Sequence, residues 1–298
     1  MMPNFMIIGA GRSGTTSVYQ YLRQHPQICM SKIKETNYFV FRASQMPGRP
    51  IAPPWRWPVT SLDDYRALFR VTNRHLAIGE ASPFYLYAPR VPALIKETLP
   101  EIRLIAILRN PVDRAYSAYI KNISEGFETR PFEQAINEEI EGKNAVVNST
   151  TCYVRAGLYH QLLTAYLEVF DRSKLQIYFF QDLVDSPTAL MRIVFTGLGV
   201  DAEFVPDTSV RFNRGMMLPI KNNYAFRKVK GFSRRLGEHL PRRMYFFLVN
   251  FLQTLQGKQP KVTDLPEDTR ILLTSLFVDD IKNLQVLTGR DLSEWLEV

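Results

Sequence analysis

The chain has 298 residues, 46% of them apolar and 22% charged, a balance that excludes intrinsic disorder and indicates a folded core. Thirty-seven basic against twenty-nine acidic residues leave a formal charge of +8. That excess favours anionic partners (nucleotide phosphates, acidic glycans, nucleic acid or anionic lipid) without choosing among them. The two cysteines, Cys29 and Cys152, have neither metal-ligand nor redox spacing, so no disulfide framework or thiolate zinc site is expected.

The opening residues, MMPNFMIIGAGRSGTT, read as a strand over 5–8 entering a glycine loop and then a helix over 15–24. They lack the pattern of a signal peptide, so nothing is expected to be removed. The stretch 42–58, with five prolines plus Trp55 and Trp57, is expected to be an irregular, lid-like loop because proline removes backbone donors. Apolar runs predict further strands over 75–79, 103–108 and 175–180, and helical periodicity predicts helices over 91–98, 112–124, 157–170 and 187–198. Asn110 followed by Pro111 supplies an N-cap and a first helical residue, which places a strand-to-helix turn directly after Arg109.

Beyond residue 200, the segment 221–243 holds eight basic side chains against the single acid Glu238. The apolar run 245–252 that follows is far shorter than the roughly 20 residues of a membrane span. Residues 266–296 read as one or two helices, with Leu272, Leu276, Ile281, Leu284 and Leu287 near helical spacing. Strands alternating with helices predict an α/β fold, a P-loop-type doubly wound parallel sheet flanked by helices, with a helical C-terminal region.

The segment from Gly9 to Thr16, GAGRSGTT, has the G-x₄-G spacing of a phosphate-binding loop between a strand and a helix. Such a loop turns backbone N–H groups and the positive end of a helix dipole onto an anion. Thr15 stands where a nucleoside triphosphatase has its lysine, and Arg109 ends the strand that would carry the magnesium-organising aspartate. Both handles for a metal-bound triphosphate are therefore absent from the pattern, and a cation, Arg12, lies inside the loop. Arg109 and Ser117 form a candidate second anion site, since a guanidinium at a strand end can fork onto a phosphate while a hydroxyl adds one bond.

These residues resemble the sulfotransferases that use 3′-phosphoadenosine 5′-phosphosulfate (PAPS), most closely the heparan-sulfate branch and its bacterial relatives. The resemblance rests on GAGRSGTT, IKETNYF, GEASPFYL, LRNPVDRAYSAY and YFFQDL in that order. It implies PAPS as donor substrate and PAP (3′-phosphoadenosine 5′-phosphate) as product, with Gly11, Arg12, Ser13, Gly14, Thr15 and Thr16 at the 5′-phosphosulfate. Arg109 and Ser117 would then hold the 3′-phosphate, and Arg214, in RFNRGMM, would lie in a late loop over the nucleotide. Glu35 falls where the heparan-type enzymes keep a general base, and Arg12 would stabilise the breaking phosphosulfate bridge without a metal. Three departures stand out: arginine replaces the frequent lysine at position 12, Glu80 is followed by Ala81 rather than lysine, and Gln181 stands where the last motif usually has an acid. Tyr159, in AGLYHQL, resembles a recurrent element near the cofactor but reads more simply as a core aromatic.

The expectation is one sulfotransferase domain over 1–298. A nucleotide-binding core spans 1–200 and includes the 42–58 loop, and 201–298 contributes the covering loop, the basic segment and the C-terminal helices. The acceptor is expected to offer a hydroxyl on a glycan, lipid or small metabolite. Residues 221–252 are a candidate peripheral membrane or polyanion contact, no nucleic-acid reader motif is present, and a reducing, cytoplasmic setting is the default. Two alternatives remain open at this point: a non-enzymatic polyanion or membrane-surface binder on a degenerate P-loop fold, and a P-loop kinase.

Overall fold

The computed structural model of the protein describes residues 1–47, 51–52, 59–125, 127–143, 147–148, 152–209 and 265–298. Arg214, Trp55, Trp57, the basic segment 221–243 and the apolar run 245–252 lie outside the described residues. In chain order the first half contains β1 (Phe5–Gly9), α1 (Thr15–Leu22), β2 (Ile28–Met30), α2 (Tyr38–Ser44), β3 (Ile51–Ala52), α3 (Leu62–Arg66), β4 (Ala77–Ala81) and α4 (Val91–Thr98). The second half contains β5 (Arg103–Leu108), α5 (Pro111–Glu125), α6 (Phe132–Ile140), β6 (Val147–Asn148), α7 (Tyr159–Leu167), β7 (Leu175–Phe179), α8 (Phe180–Asp185), α9 (Pro187–Leu198) and a C-terminal helix, Glu267–Thr288.

Five strands pair in parallel in the order β2-β4-β1-β5-β7. β1 is central, with later strands added on both of its sides, so its carboxyl end is the switch point at which ligands collect in such sheets. Helices cover both faces, which is why β1 and, after Arg103, β5 read as apolar runs, and why β4 does so except at Glu80. Phe5 and Ile7 join Val18, Leu22, Met191 and Phe195 in one core. Met6 and Ile8, pointing the other way, join Tyr85, Leu163, Tyr166 and Phe277 in a second. Gly79 lies opposite Phe5, and a β-carbon there would come within 2.2 Å of the Phe5 ring.

The start of α5 forms as its sequence predicts, with Asn110 Oδ1 accepting from the Val112 amide at 2.9 Å, a cap of about 1 kcal/mol. Elsewhere the structure corrects the sequence reading. The strand expected over 75–79 is Ala77–Ala81. His75 is held in a turn by its own amide to Thr72 O and by its Nδ1, which accepts from the Thr72 amide at 2.9 Å. The 42–58 stretch is not wholly irregular. α2 continues through Ser44 because Phe39, Val40 and Ala43 bury one face, and Ile51–Ala52 pairs in parallel with Val147–Asn148. β7 ends at Phe179, so the QDL of YFFQDL lies in α8, where Gln181 donates to Asp185. On the C-terminal helix the buried face is Leu273, Phe277, Ile281 and Leu284, whereas Leu272 is exposed. Both cysteines are buried, and neither is in a disulfide. Among the described residues no helix is long and apolar enough to cross a membrane.

Candidate active site

The glycine loop follows β1 directly at the switch point. Arg12 and Gly14 both have positive φ, 72° and 82°. A β-carbon on Gly14 would lie 2.5 Å from Leu183 Cδ2, so both the conformation and the close approach of α8 demand glycine. Gly14 also caps α1, no side chain caps that helix, and its first turn carries no acid. An uncapped helix start with no acid beside it suits an anion. Gly11, Arg12, Gly14 and Thr16 are half-buried, whereas Thr15 and Ser13 are buried.

Two sites that the sequence keeps apart meet here. Arg12 Nε donates to Ser117 Oγ at 3.0 Å, joining the loop to α5. Arg109 Nη1 lies 3.5 Å from the Arg12 carbonyl, and its guanidinium rests 4.9 Å above the Phe180 ring. Burial lowers the Arg109 pKa from its ordinary value, with the nearby Asp113 carboxylate, 4.0 Å away, opposing that shift. Asp113 is shared with Arg270 of the C-terminal helix at 3.1 Å. The remote C-terminal region therefore braces the element that carries Ser117.

Tyr159 is fully buried at the start of α7, and burial raises its hydroxyl pKa, with Arg114, Arg109 and Ser13 among the groups that act on it. The Ser13 and Tyr159 hydroxyls are both buried, and neither has a hydrogen-bond partner among the described residues. The two hydroxyls lie close enough to influence each other, which places Tyr159 behind the loop as packing. Asp280 fixes this helix start by accepting from the amides of His160 at 2.9 Å and Gln161 at 3.0 Å.

Glu35 stands on the turn between β2 and α2, tied to β4 by its amide, which donates to Ala81 O at 2.8 Å. Its side chain is half-exposed (48%) and pairs with Lys34 at 2.6 Å. Lys34, then Lys121 and Arg12, hold its pKa below the usual carboxylate value against the opposing effect of burial. Glu35 and Asn37 both have positive φ, 62° and 50°, a conformation that costs a non-glycine residue about 1–2 kcal/mol.

Of the residues picked out from the sequence, Arg12, Arg109, Ser117 and the loop are thus in contact, and Glu35 lies within electrostatic reach of Arg12. Lys121 was missed. It follows Ser117 by one helical turn on α5, and that i, i+4 spacing was the available signal. Glu80 was noted only as part of a motif. It is fully buried in an otherwise apolar strand, and an acid at such a position is itself a signal.

A glycine loop at the switch point of a parallel sheet, flanked by Arg12, Arg109 and Ser117, defines an α/β protein of the P-loop type and makes this loop its candidate anion site. The family profile described as "Sulfotransferase domain" matches residues 2–250, and the chain belongs to that family. A membrane-associated sulfotransferase, kil1 of Dictyostelium discoideum, is 37% identical over 118 residues, covering 40% of this chain and 22% of that protein. Human carbohydrate sulfotransferase 15 is 25% identical over 249 residues, covering 67% of this chain and 44% of its own length. The bovine bifunctional heparan sulfate N-deacetylase/N-sulfotransferase 2 is 24% identical over 304 residues, covering 99% of this chain and 31% of that protein. The chain therefore spans less than half the length of these curated relatives. Among solved structures, a sulfotransferase from Alicyclobacillus acidocaldarius superposes with a TM-score of 0.75 at 28% identity, covering 100% of both chains.

Proposed function

We propose that the protein is a PAPS-dependent sulfotransferase, acting as a single domain on an acceptor hydroxyl. The observation that carries this reading is the Arg12–Ser117 contact, which makes one continuous site of the phosphate loop and the α5 anion site. The loop amides from Gly11 to Thr16 with Arg12 would hold the 5′-phosphosulfate, and Arg109 with Ser117 the 3′-phosphate. The uncapped start of α1 and the absence of an acid in its first turn support that fit.

The acceptor oxygen attacks sulfur as the bond from sulfur to the 5′-phosphate oxygen breaks, PAP departs, and Glu35 takes the acceptor proton. A pKa held down by Lys34 keeps Glu35 ionised and ready to accept that proton over a wide range of pH. Arg12 stabilises charge on the leaving phosphate as a fixed cation, since a guanidinium is a poor proton donor. Lys34 and Lys121 place positive charge beside Glu35, of the kind that the Glu80-Ala81 pair lacks. Carbohydrate and heparan sulfate sulfotransferases among the relatives support a glycan over a lipid or small metabolite as the acceptor class.

The test is thermal stabilisation by PAP against ADP with Mg²⁺. A ligand that binds only the native state raises the melting temperature. PAP is expected to stabilise and ADP with Mg²⁺ to do so weakly or not at all; the reverse pattern would support a kinase, and no effect of either a polyanion binder. A screen with labelled PAPS across alcohols, phenols, lipids and glycans then identifies the acceptor.

A further inference from the structure

Glu80 is 0% exposed at the fourth position of β4, between Gly79 and Ala81. Four hydroxyls converge on its carboxyl group. Tyr65 and Tyr85 donate to Oε1 at 2.7 and 2.9 Å, and Thr36 and Ser82 donate to Oε2 at 2.7 Å each. An ionised carboxylate only accepts, so this arrangement satisfies it with neutral donors. Burial raises the Glu80 pKa, and the four donors oppose that rise. A buried acid is costly where an apolar residue would pack, so its presence calls for a role that packing does not supply.

The role is visible in what Oε2 holds. Thr36 lies between Glu35 and Asn37, the two residues of this turn with positive φ. Its hydroxyl reaches Glu80 and also the Tyr85 hydroxyl at 3.0 Å. Ser82, the other donor to Oε2, accepts from the Asn37 amide at 3.2 Å. Left-handed backbone at two non-glycine residues persists only when surrounding contacts over-determine it. Here those contacts converge on Glu80.

We infer that Glu80 is a positioning residue for sulfo transfer: through Thr36 and Ser82 it holds the 35–37 turn so that the Glu35 carboxylate meets the acceptor. The inference rests on the reading of Glu35 as the base. A misplacement of about 1 Å at a reacting group can cost roughly a hundredfold in rate. The anchor should therefore appear in turnover rather than in nucleotide binding.

The experiment compares Thr36→Val, Thr36→Ser, Glu80→Gln and Glu35→Gln, using PAP for binding and labelled PAPS with the acceptor from the screen for turnover. Thr36→Val is expected to lower kcat about tenfold or more, to leave the PAP-induced thermal shift intact, and to speed amide exchange at Glu35 and Asn37. Thr36→Ser, which restores the hydroxyl, should recover kcat. Glu80→Gln should lower kcat in the same direction, because its amide offers one accepting oxygen to four hydroxyls; should it fail to fold, the Thr36 pair decides. Normal kcat and normal exchange in Thr36→Val would overturn the inference, as would a loss of PAP binding in step with kcat, which marks a merely structural network. If Glu35→Gln turns over normally, the base reading fails and takes this inference with it. If Glu35→Gln is inactive while Thr36→Val is normal, only the positioning role fails.

Discussion

Arg12 Nε and Ser117 Oγ, 105 positions apart in sequence, meet at 3.0 Å. One comes from the glycine loop after β1 and the other from the second turn of α5, and their hydrogen bond joins the two proposed anion positions. A hydrogen bond to a charged group contributes about 1.5–3 kcal/mol, and 1.4 kcal/mol is tenfold in affinity. On the proposed reading, Ser117→Ala would remove both this bond and a donor to the 3′-phosphate. Its Kd for PAP, measured by titration calorimetry, should rise roughly tenfold or more. An unchanged Kd would separate Ser117 from the nucleotide.

The loop itself can be tested at Gly14. Alanine there meets two penalties at once: a φ of 82° and a β-carbon 2.5 Å from Leu183 Cδ2. Gly14→Ala should lower stability by about 1–3 kcal/mol in a urea melt and weaken PAP binding as the loop shifts. An unchanged melt would mean that α8 yields easily at Leu183 and that the loop has room to spare.

What sequence reading reached and what it missed divide along contact range. The loop, Arg109 and the Asn110–Pro111 start of α5 were legible because glycine spacing, a strand end and a capping pair are local signals. The joining of Arg12 to Ser117 is set by the side-by-side pairing of β1 and β5, which periodicity does not encode. The Glu80 network was harder still. Its Tyr65 donor sits on α3, a five-residue helix too short to show a period, although Ser61 does cap it by accepting from the Asp64 amide at 3.0 Å. β2, three residues long, was missed for the same want of pattern, whereas α6 was missed although its Phe132, Ala135 and Ile136 stand at helical spacing on its buried face.

Lys34 offers a test of Glu35 that leaves the carboxylate in place. Lys34 is the largest influence holding the Glu35 pKa down. A general base works only when deprotonated, so activity falls as pH drops through its pKa. The acid limb of kcat/KM should therefore lie below the usual glutamate range in the native protein. Lys34→Met should move that limb to higher pH, and Lys34→Arg should leave it near its native position. A limb that ignores Lys34 would assign the titration, and with it the base, to another group.

Glu80 makes a separate prediction about stability. Its folded-state pKa is raised, chiefly by burial, so across the interval above the ordinary glutamate value the folded chain keeps a proton that the unfolded chain has lost. Stability changes with pH in proportion to the protons bound by the unfolded state minus those bound by the native state, and here that difference is negative. The contribution is complete below the unfolded pKa and is lost as pH rises through the folded one. Other titrating groups are common to the native protein and to Glu80→Gln, so they cancel in the difference between the two. Melting temperatures compared from about pH 4 upward should show the native protein losing ground to Glu80→Gln as pH rises. A difference that stays flat would mean that the four hydroxyls fully offset the cost of burial, and one that grows in favour of the native protein would mean that they exceed it.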